Sequence, residues 1–235
     1  MIHGLLLVDK PPGWTSFDIV AKVRGIIKAE LKKTDQKIKN VKVGHTGTLD
    51  PAATGLLVLC IGKATKRVPD LIKHDKTYEV EITLGATSTT DDGEGEITTS
   101  SKFQVPSGEQ VRDVMMGFVG PQIQKPPQFS ALKINGKKAY ELARAGKTVE
   151  LKPRPITVHE ITNIQYEWPI ITYTVSVSSG TYIRSLARDI GEKLGTGAYM
   201  SGLRRTVVDT FSVKDALRAD ALSWESINSA LIDIT

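Results

Sequence analysis

The chain has a single cysteine, Cys60, so no intramolecular disulfide framework can hold it, and a lone thiol fits a reducing compartment. No stretch approaches the roughly 18 consecutive apolar residues that a membrane-spanning helix needs. The opening MIHGLLLVDKPPG lacks a basic segment ahead of its short apolar run, Leu5 to Val8, and therefore does not read as a secretion signal. Internal repeats and low-complexity segments are also missing. The acidic residues Asp91, Asp92, Glu94 and Glu96 lack the spacing of a calcium loop, so no metal is assigned to them. These absences point to a cytoplasmic protein without a membrane partner.

What is present is ordinary in amount and uneven in placement. The 235 residues suffice for one large domain or two small ones, and 40% hydrophobic with 24% charged residues is usual for a globular chain. Net charge is +5. Residues 22–42 hold eight Lys or Arg against Glu30 and Asp35, and residues 122–154 hold another eight against Glu141 and Glu150. The stretch 89–96 and the tail after Thr206 lean acidic. Positive charge gathered into two segments suits a polyanionic partner, although solvated lysine-rich surfaces have the same composition.

Hydrophobic periodicity sketches a mixed α/β chain on one central sheet. Leu5–Val8 reads as a strand and Lys10-Pro11-Pro12-Gly13 as a turn. Thr15 with Asp18 forms a capping box ahead of a helix whose buried face is Ile19, Val20, Val23, Ile26 and Ile27. Gly44–Pro51 reads as a loop, Gly55–Ile61 as a buried strand, and residues 77–84 as an alternating strand with Tyr78, Val80, Ile82 and Leu84 on one face. Residues 87–96 form a connecting loop and 109–118 a helix. Pro121–Pro155 is a Pro-, Gly- and Lys-rich arm with a short helix near 138–145. Residues 172–178 are a strand, Gly180 and Thr181 lead into a helix, and the last thirty residues hold one or two short helices.

Several residues carry chemical potential. Asp50 precedes Pro51, which keeps it extended, in a loop whose glycines allow close approach of a ligand. The same residues would also serve as a helix cap followed by proline at the first helical position. With Thr181 as N-cap, Arg184 falls in the first turn of its helix, where a cation opposes the helix dipole. That placement calls for a phosphate or a buried carboxylate, unless Arg184 points to solvent. Tyr78 reads as a core tyrosine and Cys60 as an inert core thiol. His45 is open between base, stacking platform and turn residue.

Together these residues resemble the bacterial tRNA pseudouridine-55 synthase family of the TruB type. The match runs in order over about residues 4–215. It takes in Lys10-Pro11-Pro12-Gly13-Trp14-Thr15-Ser16, the stretch GHTGTLDPAATGLLVLCIGKATK at 44–66, Lys76-Thr77-Tyr78 and PPQFSALKINGKKAYELAR at 126–144. It ends with Gly180-Thr181-Tyr182-Ile183-Arg184-Ser185-Leu186 and Leu203-Arg204-Arg205-Thr206. The resemblance implies an α+β fold, a central mixed and largely antiparallel sheet flanked by helices, with an RNA-gripping insertion at 122–154. It implies Asp50 as nucleophile, Tyr78 as the ring stacking on the target base, and Arg184 as the ion-pair partner of Asp50. His45, Tyr182 and Leu203 correspond to uridine-pocket residues, and Lys10, Lys32, Lys33, Lys133, Lys137 and Arg205 to RNA-backbone contacts. The implied reaction isomerises the uridine at position 55 of tRNA without a cofactor, in a monomer that needs no guide RNA.

Two departures stand out. Residues 206–235 are too few for the full C-terminal RNA-binding (PUA) domain of many family members, so the catalytic domain is expected over 1–205 with a short segment after it. Residues 28–42 are longer and richer in lysine than that loop in the family. Two other readings stay open: a tRNA-binding folding chaperone, and a pseudouridine synthase acting on another RNA. Neutralising Lys32, Lys33, Lys37 and Lys39 together is expected to weaken tRNA binding several-fold, and unchanged affinity at physiological salt would remove that role for the loop.

Overall fold

The computed structural model describes residues 2–33, 41–100, 102–130, 132–134, 136–144, 146 and 150–234, without the side chains of 133, 134, 137, 138, 140 and 144. Lys37 and Lys39 lie outside the described residues, as do the side chains of Lys133 and Lys137. In chain order, β1 (Gly4–Lys10) leads to α1 (Ser16–Lys33), β2 (Val43–His45), β3 (Thr54–Ile61) and α2 (Val68–Leu71). Then come β4 (Lys76–Leu84), β5 (Ala86–Ser88), β6 (Ile97–Thr99), α3 (Gly108–Met116) and β7 (Gly120–Gln124). The insertion holds β8 (Lys133–Ile134), β9 (Lys137–Lys138) and α4 (Ala139–Arg144). The chain continues through β10 (Arg154–Glu167), β11 (Ile170–Val177), α5 (Ile183–Leu194), β12 (Ala198–Val208), β13 (Phe211–Ser212), β14 (Leu217–Arg218) and α6 (Trp224–Ser229). None of the described helices is long and apolar enough to cross a membrane.

Two compact units result, Met1–Tyr78 with Leu203–Thr235, and Glu79–Gly202. In the first, the strand order is β14-β1-β3-β12, with β2 beside β3 and β13 beside β12. Strand β1 runs antiparallel to β3 with Val8 opposite Leu57, whereas β12 runs parallel to β3. Both faces of β1 and β3 are covered, which explains why β3 reads as an unbroken apolar run. One face carries Leu6, Val8, Leu57, Leu59 and Ile61 against Ile19, Val20, Val23 and Ile27 of α1 and Ile227 of α6. The other carries Leu5, Leu7, Leu56, Val58 and Cys60 with Val208. Burial pushes the Cys60 thiol up to about 11, as expected for an inert core cysteine. Residues 206–235 are an integral part of this unit: Ile232 bridges Leu5, and β14 pairs with β1.

The capping box at the start of α1 forms as the sequence indicated. Thr15 Oγ1 accepts from Asp18 N at 3.1 Å, and Asp18 Oδ2 accepts from Thr15 N at 2.8 Å. Gly55 has φ +100°, and a Cβ there would lie 2.2 Å from the Arg205 carbonyl, so only glycine allows β12 to approach β3.

In the second unit the order is β12-β4-β11-β10-β7, strands β4 and β12 contributing to both units. Val80, Ile82 and Leu84 of β4 are buried in alternation, as are Ile171, Tyr173, Val175 and Val177 of β11. Helix α3 packs on α5 and β10. The sheet is mixed and largely antiparallel, as the family resemblance implied. Three local expectations change. The first part of the 44–51 loop is strand, because β2 pairs with β3 from Val43↔Ile61 to His45↔Leu59. The 87–96 connection begins in the hairpin β5–β6. The ends of the expected arm are strands β7 and β10, paired with Gln124 opposite Arg154.

Candidate active site

Asp50 lies in the loop joining β2 to β3, and several neighbouring peptide groups are held by side chains and backbone of the scaffold. Ser16, the first residue of α1, accepts from Leu49 N at 2.8 Å and donates to Leu49 O at 3.1 Å. Lys10 Nζ donates to Pro51 O at 3.2 Å, and Gly13 N donates to the same oxygen at 2.9 Å. Arg205, on β12, donates through Nη2 to Gly47 O at 3.0 Å and through Nε to Leu56 O at 2.7 Å, with a longer contact from Nη1 to Thr48 O. Thr46 N donates to Val58 O, and Ala53 N to the Asp50 carbonyl. Residues 51–53 are not helical, so the cap reading of Asp50 fails. The carboxylate stands half-buried on a backbone fixed on both sides.

This geometry corrects two expectations. Lys10 and Arg205 are almost wholly buried, at 0% and 2% exposure. Their cationic groups bond backbone carbonyls of the loop and its strand, so neither is a surface contact for RNA phosphates. Burial first, and then the Arg205 guanidinium, hold His45 below its ordinary pKa. The imidazole is therefore neutral at physiological pH, and Nδ1 lies 3.4 Å from Gly47 N as an acceptor. Burial, with Arg205 adding to it, also brings Lys76 down to about 8. Tyr78 is buried two residues along β4 from Lys76. Leu203, on β12, is half-buried, its carbonyl 3.4 Å from Thr54 Oγ1 at the start of β3. Lys32 and Lys33 are exposed at the end of α1, Lys33 pairing with Glu30 at 2.7 Å.

The second unit holds the other candidates. Helix α5 starts at Ile183 after Tyr182, whose side chain makes no cap bond, so Thr181 is not the N-cap; its hydroxyl bonds Ser178 O instead. Arg184 is in the first turn as expected, and it is buried. It donates through Nη1 to Asp92 Oδ2 at 3.0 Å and to Thr90 O, and through Nη2 to Phe129 O at 3.0 Å. Asp92 thus supplies the buried carboxylate that a cation at a helix N-terminus calls for. Its neighbour Asp91 accepts from Arg188 at 2.9 Å. Tyr182 is fixed from two sides. Gln124, itself buried, exchanges two hydrogen bonds with its peptide at 2.9 and 3.0 Å, and the Arg154 guanidinium lies 4.7 Å from its ring centre.

Comparison with known proteins then assigns the lineage. A model described as the TruB family pseudouridylate synthase N-terminal domain matches residues 33–183, and one described as the tRNA pseudouridylate synthase B C-terminal domain matches 184–232. The chain belongs to the TruB pseudouridylate synthase family. It is 44% identical over 96% of its length to a tRNA pseudouridine synthase B of Cupriavidus metallidurans, covering 68% of that relative. A Ralstonia pickettii protein of the same name is 45% identical, with 94% and 67% covered. Among solved structures, a Cbf5-Nop10-Gar1 complex contains a chain 31% identical with a TM-score of 0.68, covering 92% of this chain and 52% of that one. An H/ACA RNP bound to a substrate RNA is similar at 29% identity and TM-score 0.66, again covering 52% of the matched chain. The chain thus spans about half the length of these structural relatives.

Within this TruB-family chain, sequence reasoning missed Ser16, Gln124 and Asp92. Ser16 was hidden as one more residue after a cap, and Gln124 as part of an arm. Asp92 was one of four acidic residues in a presumed loop; the unbalanced cation at Arg184 was the signal that could have found it. Asp92→Ala removes the charge-assisted bond from Arg184 Nη1 and is expected to lower stability by about 1.5–3 kcal/mol. Urea unfolding measures this, and a loss under about 1 kcal/mol would deny the pair that role.

Proposed function

We propose that this chain converts the T-arm uridine at position 55 of tRNA to pseudouridine, with Asp50 as the nucleophile. The observation that carries the reading is the fixed Asp50 loop in a TruB-family chain whose relatives at 43–45% identity are tRNA pseudouridine synthases. The reaction breaks N1–C1′, turns the uracil, and forms C5–C1′; the C5 proton leaves and N1 gains one. It is redox-neutral and calls for no group donor.

A carboxylate adding covalently to sugar or base divides that change into easier steps. Pinning Leu49, Pro51 and Gly47 holds the Asp50 backbone in place before substrate arrives, which is where positioning contributes most to rate. Arg184, braced by Asp92, pairs with Asp50 in this reading, as the family resemblance implies. The uridine must leave its stack, and Tyr78 receives it, with neutral His45, Tyr182 and Leu203 completing the pocket. Lys32, Lys33, Lys133 and Lys137 remain candidates for backbone contacts, and the chain works as a monomer without a guide RNA. The higher identity to tRNA pseudouridine synthases than to the Cbf5 and H/ACA RNP chains supports tRNA over another RNA target.

Incubation with an unmodified T-arm stem-loop, with no other RNA present, tests this. Wild type should convert the loop uridine, and Asp50→Asn should lose at least about 10³-fold while still binding the RNA. Binding by both proteins with conversion by neither would favour the chaperone or another RNA target.

A further inference from the structure

A second feature of the first unit lies outside the Asp50 loop. Beside α1 is a groove of about 530 Å³, lined by Arg24 and Lys28 of α1, Val41 to Gly44 leading into β2, and Thr65 and Val68. Among the described residues its charged lining is Arg24, Lys28 and Lys42, three cations and no carboxylate. Arg24 is anchored: Nη2 donates to Val43 O at 3.1 Å, and its Nε is buried with no hydrogen-bond partner among the described residues. Lys28 and Lys42 are exposed, and neither forms a salt bridge among the described residues. Like charges gathered around one hollow repel, and an anion between them relieves that repulsion. Val41, Val43 and Val68 add apolar surface beside Thr65, which suits a sugar rather than a second charge.

From this arrangement we infer that the groove binds a backbone phosphate of the RNA substrate, with Arg24, Lys28 and Lys42 on the phosphate and the valine wall along the adjoining ribose. The inference rests on the RNA-modifying reading above and adds to it a specific site. An RNA phosphate fits better than a free one because the valines beside the cations can pack against the sugar that an RNA phosphate carries. Gly44, on its wall, immediately precedes His45 in β2. An RNA whose uridine reaches the Asp50 loop can lay another nucleotide of its backbone here. The contact is independent of base identity, since cations and valines read phosphate and sugar rather than base edges.

The test compares Lys28→Gln/Lys42→Gln with Lys102→Gln/Lys214→Gln, which removes the same two charges from exposed positions elsewhere. Arg24 is left intact because it also braces Val43. Affinity for unmodified tRNA is measured across a salt series. The groove variant should lose about ten-fold in affinity at low salt, with the slope of log K against log salt reduced by about 1–2. The control variant should stay within about two-fold of wild type. Equal losses in both variants, or an unchanged slope in the groove variant, would overturn the inference. Bound inorganic phosphate that leaves the tRNA affinity of the groove variant at the wild-type value would overturn it as well. If the wild type itself neither binds nor converts tRNA, the functional reading fails first. A wild type that converts tRNA beside an unaffected groove variant removes only this site.

Discussion

The candidate site depends on one constraint: the backbone around Asp50 is held by side chains that reach it from distant parts of the sequence. Lys10 comes from the end of β1, Ser16 from the start of α1, and Arg205 from β12. A loop normally satisfies its peptide groups with water and gains mobility from doing so. Here the carbonyls of Gly47, Leu49, Pro51 and Leu56 accept from buried or part-buried groups of the scaffold. A nucleophile on such a loop arrives pre-oriented, and ordering it need not be repeated at each turnover.

That arrangement has a thermodynamic cost, since burying a lysine and an arginine is unfavourable unless every donor is well placed. Burial lowers the pKa of His45 and Lys76, and the positive environment of Arg205 lowers both further. That environment also creates a region where an anion is favoured, which suits both a catalytic carboxylate and an approaching polyanion. The second unit applies the same device with a different pairing. Arg184 is oriented by Asp92 and two carbonyls, and Tyr182 by Gln124 and Arg154.

Much of this was legible in the sequence where periodicity or capping chemistry is local. The α1 face Ile19, Val20, Val23 and Ile27, the Thr15–Asp18 box, the buried run of β3 and the alternation of β4 all follow from patterns a few residues long. The motif wording also led to the family. What did not show were partners set by long-range contact. Lys10 and Arg205 look like surface cations in one dimension because burial is decided by the strands around them, and Ser16 meets Leu49 across 33 positions. Asp92 became visible only once Arg184 had a place in the fold, and residues 206–235 proved to belong to the first unit through pairing with β1.

The proposed reaction requires a rigidly held loop that presents Asp50 to the uridine. The most direct measurement is the single-turnover rate of pseudouridine formation on saturating T-arm RNA by Arg205→Lys. Lysine keeps the charge but cannot span Gly47 O and Leu56 O as the guanidinium fork does. The rate should fall by about 10²-fold in a variant that is still folded and binds RNA with near wild-type affinity. A folded Arg205→Lys protein reacting at the wild-type rate would contradict that requirement.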